Sequence, residues 1–144
     1  MPSWRRSVFE NVVVGTDESV AAEAAVRQAI EVTKASGGTL HIVTAFRLKR
    51  PLPPEIPEEV RYACGPLDPV DVHLDDVKAR ASREHVRADT HAVLADPVEA
   101  ISRVAREEGA DLIVVGSKSH YGPRHLGNVP DALVASAPCA VLVV

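Results

Sequence analysis

The feature that most constrains this sequence is a pair of aliphatic runs that each end at a glycine. These are Val12-Val13-Val14-Gly15 and Leu112-Ile113-Val114-Val115-Gly116. Neither run alternates with polar residues, as a strand with one wet face would, so both are typical of parallel strands covered by helices on each face. An aromatic content of 3% agrees with this, because it leaves a core of Val, Ile, Leu and Ala. Both runs are predicted to be central strands.

Segments with helical spacing alternate with the strand-like segments. Ser19 is expected to cap a first helix that ends at Gly37-Gly38. A later helix opens with Asp96 as the cap, Pro97 at the first helical position and Glu99 completing a capping box, and Gly109 ends it. The other predicted elements are strands at 8–15, 39–46, 89–94, 112–116 and 140–144 and helices at 70–86 and 129–136.

The order β-α-β-α-β-α-β-α-β defines the fold class. Right-handed crossovers arrange it as a doubly wound α/β fold, with a five-stranded parallel sheet and helices on both faces. The length of 144 residues suits one hydrophobic core, so residues 1–144 are predicted to form a single domain.

A proline-rich segment, residues 47–69, interrupts this alternation. Its prolines can continue neither a long helix nor a central strand, so a long loop is predicted. Two interpretations stay open. A solvated connection without a ligand role is favoured because prolines carry no chemistry, and a functional loop is the alternative.

Composition excludes several classes of function. The net charge is −4 and no long basic run occurs, which argues against a nucleic-acid partner. No apolar run reaches the roughly 18 residues that a membrane span needs, and no signal-like apolar core follows the first residues. A cytoplasmic protein is therefore expected. Cys64 and Cys139 lack metal-ligand spacing and are expected to be free thiols, with Cys139 packed in an apolar strand.

Ligands of a doubly wound sheet bind beyond the carboxyl ends of the strands, where the winding direction switches. This rule selects two segments, Gly15-Thr16-Asp17 and the residues that follow Gly116.

The same two segments carry a family resemblance. Residues 12–19 resemble the opening strand and acidic turn of the universal stress protein family. Three further stretches resemble the signature region of that family: 110–116, Leu126-Gly127-Asn128-Val129-Pro130, and 137–144. With Asp96-Pro97, these matches cover the domain from end to end, and the chain is identified as a member of that family. The resemblance implies the doubly wound fold and a stress-response regulatory role.

Members of this family that bind ATP carry a glycine, two residues, a second glycine, nine residues, and then a glycine with serine or threonine. This chain departs from that pattern. Ser119 stands where the second glycine belongs, seven residues separate it from Gly127, and Asn128 replaces the hydroxyl residue. Hydroxyl and amide donors remain, with charge from Lys118 and Arg124, and Gly122 can replace the missing glycine in a rearranged loop. Two alternatives stay open: ATP or another adenine nucleotide, with Mg²⁺, and no nucleotide or a different small anion.

If a nucleotide binds, the resemblance implies which residues hold it. Asp17 and the backbone near Ile42 would hold the base and ribose. Asp17 is equally suited to capping the first helix. The full set of candidate nucleotide-binding residues is Gly15, Thr16, Asp17, Ile42, Gly116, Ser117, Lys118, Ser119, Gly127, Asn128 and Val129.

No catalytic residue and no metal site are predicted. The sequence has neither a nucleophile elbow nor paired carboxylates in a recognisable setting. His120 and His125 bracket the altered loop but are interpreted as exposed loop residues, while His41, His73, His85 and His91 are interpreted as dispersed surface or strand residues.

The final strand, residues 140–144, is an apolar run that a second copy of the chain would cover. The resemblance implies a homodimer through this strand. Two function classes remain: a nucleotide-sensing stress regulator, and a nucleotide-independent dimeric module that acts through protein contacts.

Overall fold

The computed structural model describes residues 9–17, 19–46, 67–117 and 129–144. The side chains of residues 67–70 are outside this description. The strands are β1 (Asn11–Gly15), β2 (Thr39–Phe46), β3 (Arg87–Leu94), β4 (Leu112–Val115) and β5 (Ala140–Val143). The helices are α1 (Val20–Ser36), α2 (Leu67–Arg83), α3 (Pro97–Glu107) and α4 (Val129–Ser136).

The strands form one five-stranded sheet in the order β3-β2-β1-β4-β5, and every neighbouring pair is parallel. Successive connections run outward from β1 to β2 and β3, and then return to place β4 on the other side of β1. The winding direction therefore switches between β1 and β4. The predicted doubly wound fold is confirmed.

Two hydrophobic clusters cover the two faces of the sheet. Val12 and Val14 of β1 face α1 and α2, whereas Val13 between them faces α3 and α4. All three side chains are fully buried, which explains why β1 needs an unbroken run of valines. The first cluster also contains Ala25, Val26, Leu40, Ile42, Leu74 and Val77. The second also contains Val43, Ile101, Val104, Ile113, Val115 and Leu133.

The predicted helix caps are present, with one correction. Ser19 Oγ accepts a hydrogen bond from the backbone N–H of Ala22, and an Asp96 oxygen accepts one from the N–H of Glu99. The carboxylate of Glu99 does not complete the capping box, because it binds Arg103 at 2.6 Å one turn later. A charged guanidinium is a stronger partner for a carboxylate than a backbone N–H.

The predicted boundaries of β1, α2 and β3 are wrong by a few residues. Strand β1 begins at Asn11, after Phe9 and Glu10, which were predicted to belong to it. Helix α2 begins at Leu67, so Pro69 lies in its first turn and not in the loop. Proline is tolerated there because the first backbone N–H groups of a helix have no acceptor within the helix. Helix α2 also ends three residues early, at Arg83, and His85 turns the chain with a φ of 60° so that β3 begins at Arg87.

None of the helices in the described ranges is both long enough and apolar enough to cross a membrane.

Candidate functional site

The switch between β1 and β4 gathers the two predicted segments at the carboxyl edge of the sheet. Gly15 ends β1 and leads through Thr16 and Asp17 into the first turn of α1. Gly116 directly follows β4, which pairs with β1 in parallel register. Because both strands end at the same edge, the segments lie side by side as the winding rule predicts.

Both glycines at this edge have a packing reason. A Cβ at Gly116 would lie 2.5 Å from the carbonyl oxygen of Ala21, in the first turn of α1. A Cβ at Gly15 would lie 2.5 Å from Cδ1 of Ile101 on α3. A Cβ at Gly116 would therefore push α1 away from the end of β4, whereas a Cβ at Gly15 would displace the side chain of Ile101. These glycines let α1 and α3 pack close to the candidate site.

Thr16 is fixed by hydrogen bonds to two other elements. Its backbone N–H donates to the carbonyl of Val43 at 3.0 Å, and its own carbonyl accepts from Thr44 Oγ1 at 3.1 Å. Its hydroxyl lies 2.9 Å from Nε2 of His73 on α2. Thr16 is only 2% exposed, so its role is to connect the end of β1 to β2 and α2 inside the protein.

His73 is a residue of this edge that sequence reasoning missed. It was interpreted as one of several dispersed histidines, but α2 brings it against the turn after β1. The two residues are 57 positions apart in the chain, and no local pattern connects them. Only the packing of α2 against the sheet reveals the contact.

Asp17 is half-buried at the entrance to α1. Its Oδ1 accepts a hydrogen bond from the backbone N–H of Ser19 at 3.0 Å, which closes a tight turn before the helix. Ser19, not Asp17, is the N-cap residue. Within the described part of the chain, Oδ2 of Asp17 has no hydrogen-bond partner, so this oxygen is available as an acceptor.

The other predicted residues differ in how they are placed. Ile42 is fully buried in the middle of β2, so a ligand contact would have to come from its main chain. Val129 is the first residue of α4 and is 2% exposed. Ser117 is exposed, and its backbone N–H donates to the carbonyl of Val144 at 2.7 Å. Lys118, Ser119, Gly127 and Asn128 lie outside the described residues.

The face of the sheet covered by α3 holds a second group of polar side chains. His41 of β2 and His91 of β3 were interpreted as separate residues, but their rings meet, with Nδ1 of His41 3.2 Å from Nε2 of His91. His41 is 2% exposed. Burial is the main cause that lowers the pKa of His41, and the nearby Glu108 carboxylate opposes it. The signal in the sequence was the position of both histidines on the same face of neighbouring strands.

Cys139 directly precedes β5 and packs against the cluster between the sheet and α3. Burial raises the pKa of its thiol, with a smaller contribution in the same direction from Asp111. A raised pKa disfavours the reactive thiolate, which supports the packing role expected for this residue. Cys64 and the loop histidines His120 and His125 lie outside the described residues.

Comparison with known proteins gives a consistent result along nearly the whole chain. The sequence model of the Universal stress protein family matches residues 9–144. Universal stress protein Rv1636 of Mycobacterium tuberculosis is 32% identical over 143 residues, which cover 96% of this chain and 97% of that protein.

Solved structures show the same fold. A universal stress protein crystallised in complex with cAMP is 30% identical with a TM-score of 0.72, over 94% of this chain and 96% of that one. The Archaeoglobus fulgidus universal stress protein in complex with dAMP has a TM-score of 0.67 over 94% of this chain and 98% of its own. It is 20% identical, so this likeness shows the fold alone.

Proposed function

The chain belongs to the universal stress protein family, and we propose that it is a stress-response regulatory protein that binds an adenine nucleotide between the ends of β1 and β4. The observation that carries the proposal is the placement of Asp17. This carboxylate lies at the switch point, is held by one oxygen, and presents its other oxygen without a partner among the described residues. A free ribose hydroxyl can donate a hydrogen bond to such an oxygen.

Asp17 is preorganised for this task. The hydrogen bond from the Ser19 N–H fixes the orientation of its carboxylate before any ligand arrives, which lowers the entropy lost on binding. Thr16 supports Asp17 from the core through Val43, Thr44 and His73.

The phosphates are assigned to the segment between β4 and α4. Gly116, Ser117 and Val129 stand at its two ends, and the predicted contacts of Lys118, Ser119, Gly127 and Asn128 fall within it. The backbone N–H of Ser117 is occupied by Val144, so its exposed hydroxyl is the group left to donate. Anions bind well at the start of a helix, because free N–H groups and the helix dipole both favour negative charge.

The structure in complex with cAMP supports an adenine nucleotide as the ligand class, because that protein is 30% identical to this chain over almost its whole length. ATP with Mg²⁺, AMP and cAMP are all candidates, and they differ in the number of phosphates that the altered loop must hold. A cytoplasmic location, inferred from composition, remains a prediction.

We propose a binding role without catalysis. Thr16 and His73 form a hydroxyl–imidazole pair of the kind that activates nucleophiles. The hydroxyl is buried, however, with Thr16 2% exposed, so it does not reach a substrate at the sheet edge. The pair is better explained as the attachment of α2 to the turn after β1.

We also propose that the protein forms a homodimer through β5. Among the described residues this strand pairs with β4 on one side only, and Leu142 and Val143 are 38% and 41% exposed. The opposite edge strand, β3, ends at Leu94, which is 48% exposed, but it carries Arg87, Asp89 and His91 along its length. An apolar edge is a template for strand pairing and a charged edge is protected from it, so β5 is the edge that a second copy would cover.

The alternative is a nucleotide-independent dimeric module of the same family. The departures at Ser119 and Asn128 favour it, because a Cβ at the glycine position restricts the approach of backbone N–H groups to phosphate oxygens.

Calorimetric titration of the nucleotide-stripped protein with ATP, AMP and cAMP, with and without Mg²⁺, distinguishes the nucleotide-binding regulator from the nucleotide-independent module. Saturable binding supports the sensing function, and no heat from folded protein supports the module.

The residue-level test is Asp17→Asn, which keeps the oxygen that accepts from Ser19 and removes the charge. We expect a nucleotide affinity at least tenfold lower, corresponding to about 1.4 kcal/mol, with little change in melting temperature. Asp96→Asn is the matched control, because asparagine caps a helix as well as aspartate does and Asp96 caps α3 outside this segment. Unchanged affinity in Asp17→Asn together with a lower melting temperature would remove the ligand role of this residue.

A further inference from the structure

The polar group on the α3 face of the sheet brings together three metal-ligating side chains from β2, β3 and the end of α3. His41 lies on β2 and His91 on β3, while Glu108 follows the last residue of α3. Helix α3 packs antiparallel to the strands, so its end lies over the beginning of the sheet. One ligand atom from each of these residues lies within 4.8 Å of the other two.

The register of the sheet explains why the two histidines meet. His41 is paired with Asp89, and His91 is paired with Val43, two residues beyond His41. Side chains two residues apart on a strand point to the same face, so both rings project toward α3 as diagonal neighbours.

Asn11 fixes the tautomer of His41. The amide oxygen of Asn11 lies 3.2 Å from Nε2 of His41, and an amide oxygen can only accept a hydrogen bond. Nε2 therefore carries the ring proton, and Nδ1 has its lone pair directed toward His91. Histidines that bind metals characteristically donate their other ring N–H in this way, which orients the ring and strengthens the ligand.

The distance between the two rings fits a shared ion. A tetrahedral Zn²⁺ with bonds of about 2.0 to 2.1 Å places its ligand atoms about 3.3 Å apart. Nδ1 of His41 and Nε2 of His91 are 3.2 Å apart. The rings are inclined at 43°, with centroids 5.4 Å apart, so a small rotation directs both lone pairs at one point between them.

We propose that His41, His91 and Glu108 form a Zn²⁺ site, with water as the fourth ligand. Two imidazoles and a carboxylate suit Zn²⁺, whereas Mg²⁺ and Ca²⁺ prefer sites built from oxygen. Glu108 is exposed, and its side chain reaches the histidines from solvent.

Zn²⁺ binding changes the tautomer of His91 but not its charge. In the metal-free protein the ring proton of His91 on Nε2 completes the hydrogen bond to His41. When Zn²⁺ binds, that proton moves by exchange with water to Nδ1 of His91, and both imidazoles remain neutral. The ion then replaces one hydrogen bond by two metal–nitrogen bonds and connects β2, β3 and the end of α3.

The test uses the full chain without a histidine tag, stripped of metal with a chelator that is then removed. Titration with ZnCl₂ is expected to show one ion bound per chain, with no heat from MgCl₂. At a free Zn²⁺ concentration 100 times the Kd, we expect the melting temperature to rise by about 5 to 10 °C. Co²⁺ in place of Zn²⁺ is expected to give the intense visible absorption of tetrahedral coordination.

The variants are chosen so that the fold survives. His91→Ala is expected to weaken Zn²⁺ binding at least 100-fold, and Glu108→Gln at least tenfold. Their matched controls are His85→Asn and Glu107→Gln, which we expect to stay within twofold of wild type. Asparagine is used at His85 because it tolerates the φ of 60° there.

Absence of Zn²⁺ binding by folded protein would overturn the proposal, as would binding that His91→Ala leaves unchanged. Loss of binding in His120→Ala with His125→Ala, but not in His91→Ala, would place the ion elsewhere and have the same consequence. The nucleotide titration does not involve these residues, so either proposal can fail alone.

Discussion

Replacing Gly116 by alanine tests whether this glycine is required by packing. A Cβ at Gly116 would lie 2.5 Å from the oxygen and 2.6 Å from the carbon of the Ala21 carbonyl, whereas ordinary contact begins at 3.4 Å. The separation must therefore increase by about 0.9 Å. The opposing atoms are backbone atoms in the first turn of α1, so no side-chain rotation relieves the contact.

The magnitude follows from what must move. Helix α1 packs through Ala22, Ala25 and Val26 against the sheet, and these residues are at most 1% exposed. Moving the start of the helix outward loosens that contact. Overpacking of this kind costs about 1 to 3 kcal/mol, and we expect the upper half of the range because the clash is with backbone. For a chain of this length, the melting temperature should fall by about 5 to 10 °C.

The assay is urea unfolding of Gly116→Ala beside two comparison variants. Gly15→Ala meets only the end of the Ile101 side chain, so its cost should be smaller and should be largely relieved by Ile101→Val in the same chain. Gly109→Ala meets nothing within 4 Å but requires a φ of +62°, which costs about 1 kcal/mol.

A loss of stability below about 0.5 kcal/mol in Gly116→Ala would refute the packing argument, since this is the range of neutral surface substitutions. Gly116 would then be explained better by a ligand contact. If the predicted loss is found, reduced nucleotide affinity in this variant cannot be taken as a sign of a phosphate contact.

Two further predictions concern the ion pair between α1 and α2 and the edge of the sheet. Arg80 holds both carboxylate oxygens of Glu23, at 2.6 and 2.9 Å, and this hydrogen bonding is the main cause that lowers the pKa of Glu23 below its ordinary value of 4.5. The stabilisation is therefore present above about pH 4.5 and is lost as the pH falls through the lowered pKa. Glu23→Gln should cost up to about 1 kcal/mol at pH 7 in urea unfolding, and this difference should shrink toward pH 3; a difference independent of pH would contradict the assignment. If the protein forms the proposed dimer, Leu142→Lys should convert it to a monomer in sedimentation at micromolar concentration with little change in circular dichroism. A wild-type monomer under these conditions would contradict the proposed dimer.

The fold was predictable because its signals are local. The valines of β1 are buried on both faces, so the pattern that marks a central parallel strand lies within a few residues. Ser19 and Asp96 marked two helix starts for the same reason. The capping-box error arose because two groups compete for the Glu99 carboxylate and the sequence does not show which one binds. Arg103 binds it, so the capping box stays incomplete.

The polar contacts were less predictable, because the sheet brings together residues that are far apart in the chain. Thr16 and His73 are 57 positions apart, and His41 and His91 are 50 apart. The first contact depends on how α2 packs against the sheet. The second depends on strand order and register, because a shift of one residue would turn a histidine to the other face of the sheet. Asp17 could be located from its neighbours, but the oxygen it leaves free became apparent only with the turn to Ser19.

Strand β2 connects the two proposed sites, and this has an energetic consequence. Val43 of β2 accepts a hydrogen bond from Thr16 at the carboxyl edge, while His41, two residues earlier, is a ligand of the proposed Zn²⁺ site. Both residues are at most 2% exposed and are held by strands on each side, so β2 acts as a rigid element between the sites. Allosteric coupling requires an element with two arrangements whose balance both ligands shift. A central strand fixed in both ladders does not provide one, so Zn²⁺ and nucleotide should stabilise the fold additively, each leaving the affinity for the other unchanged.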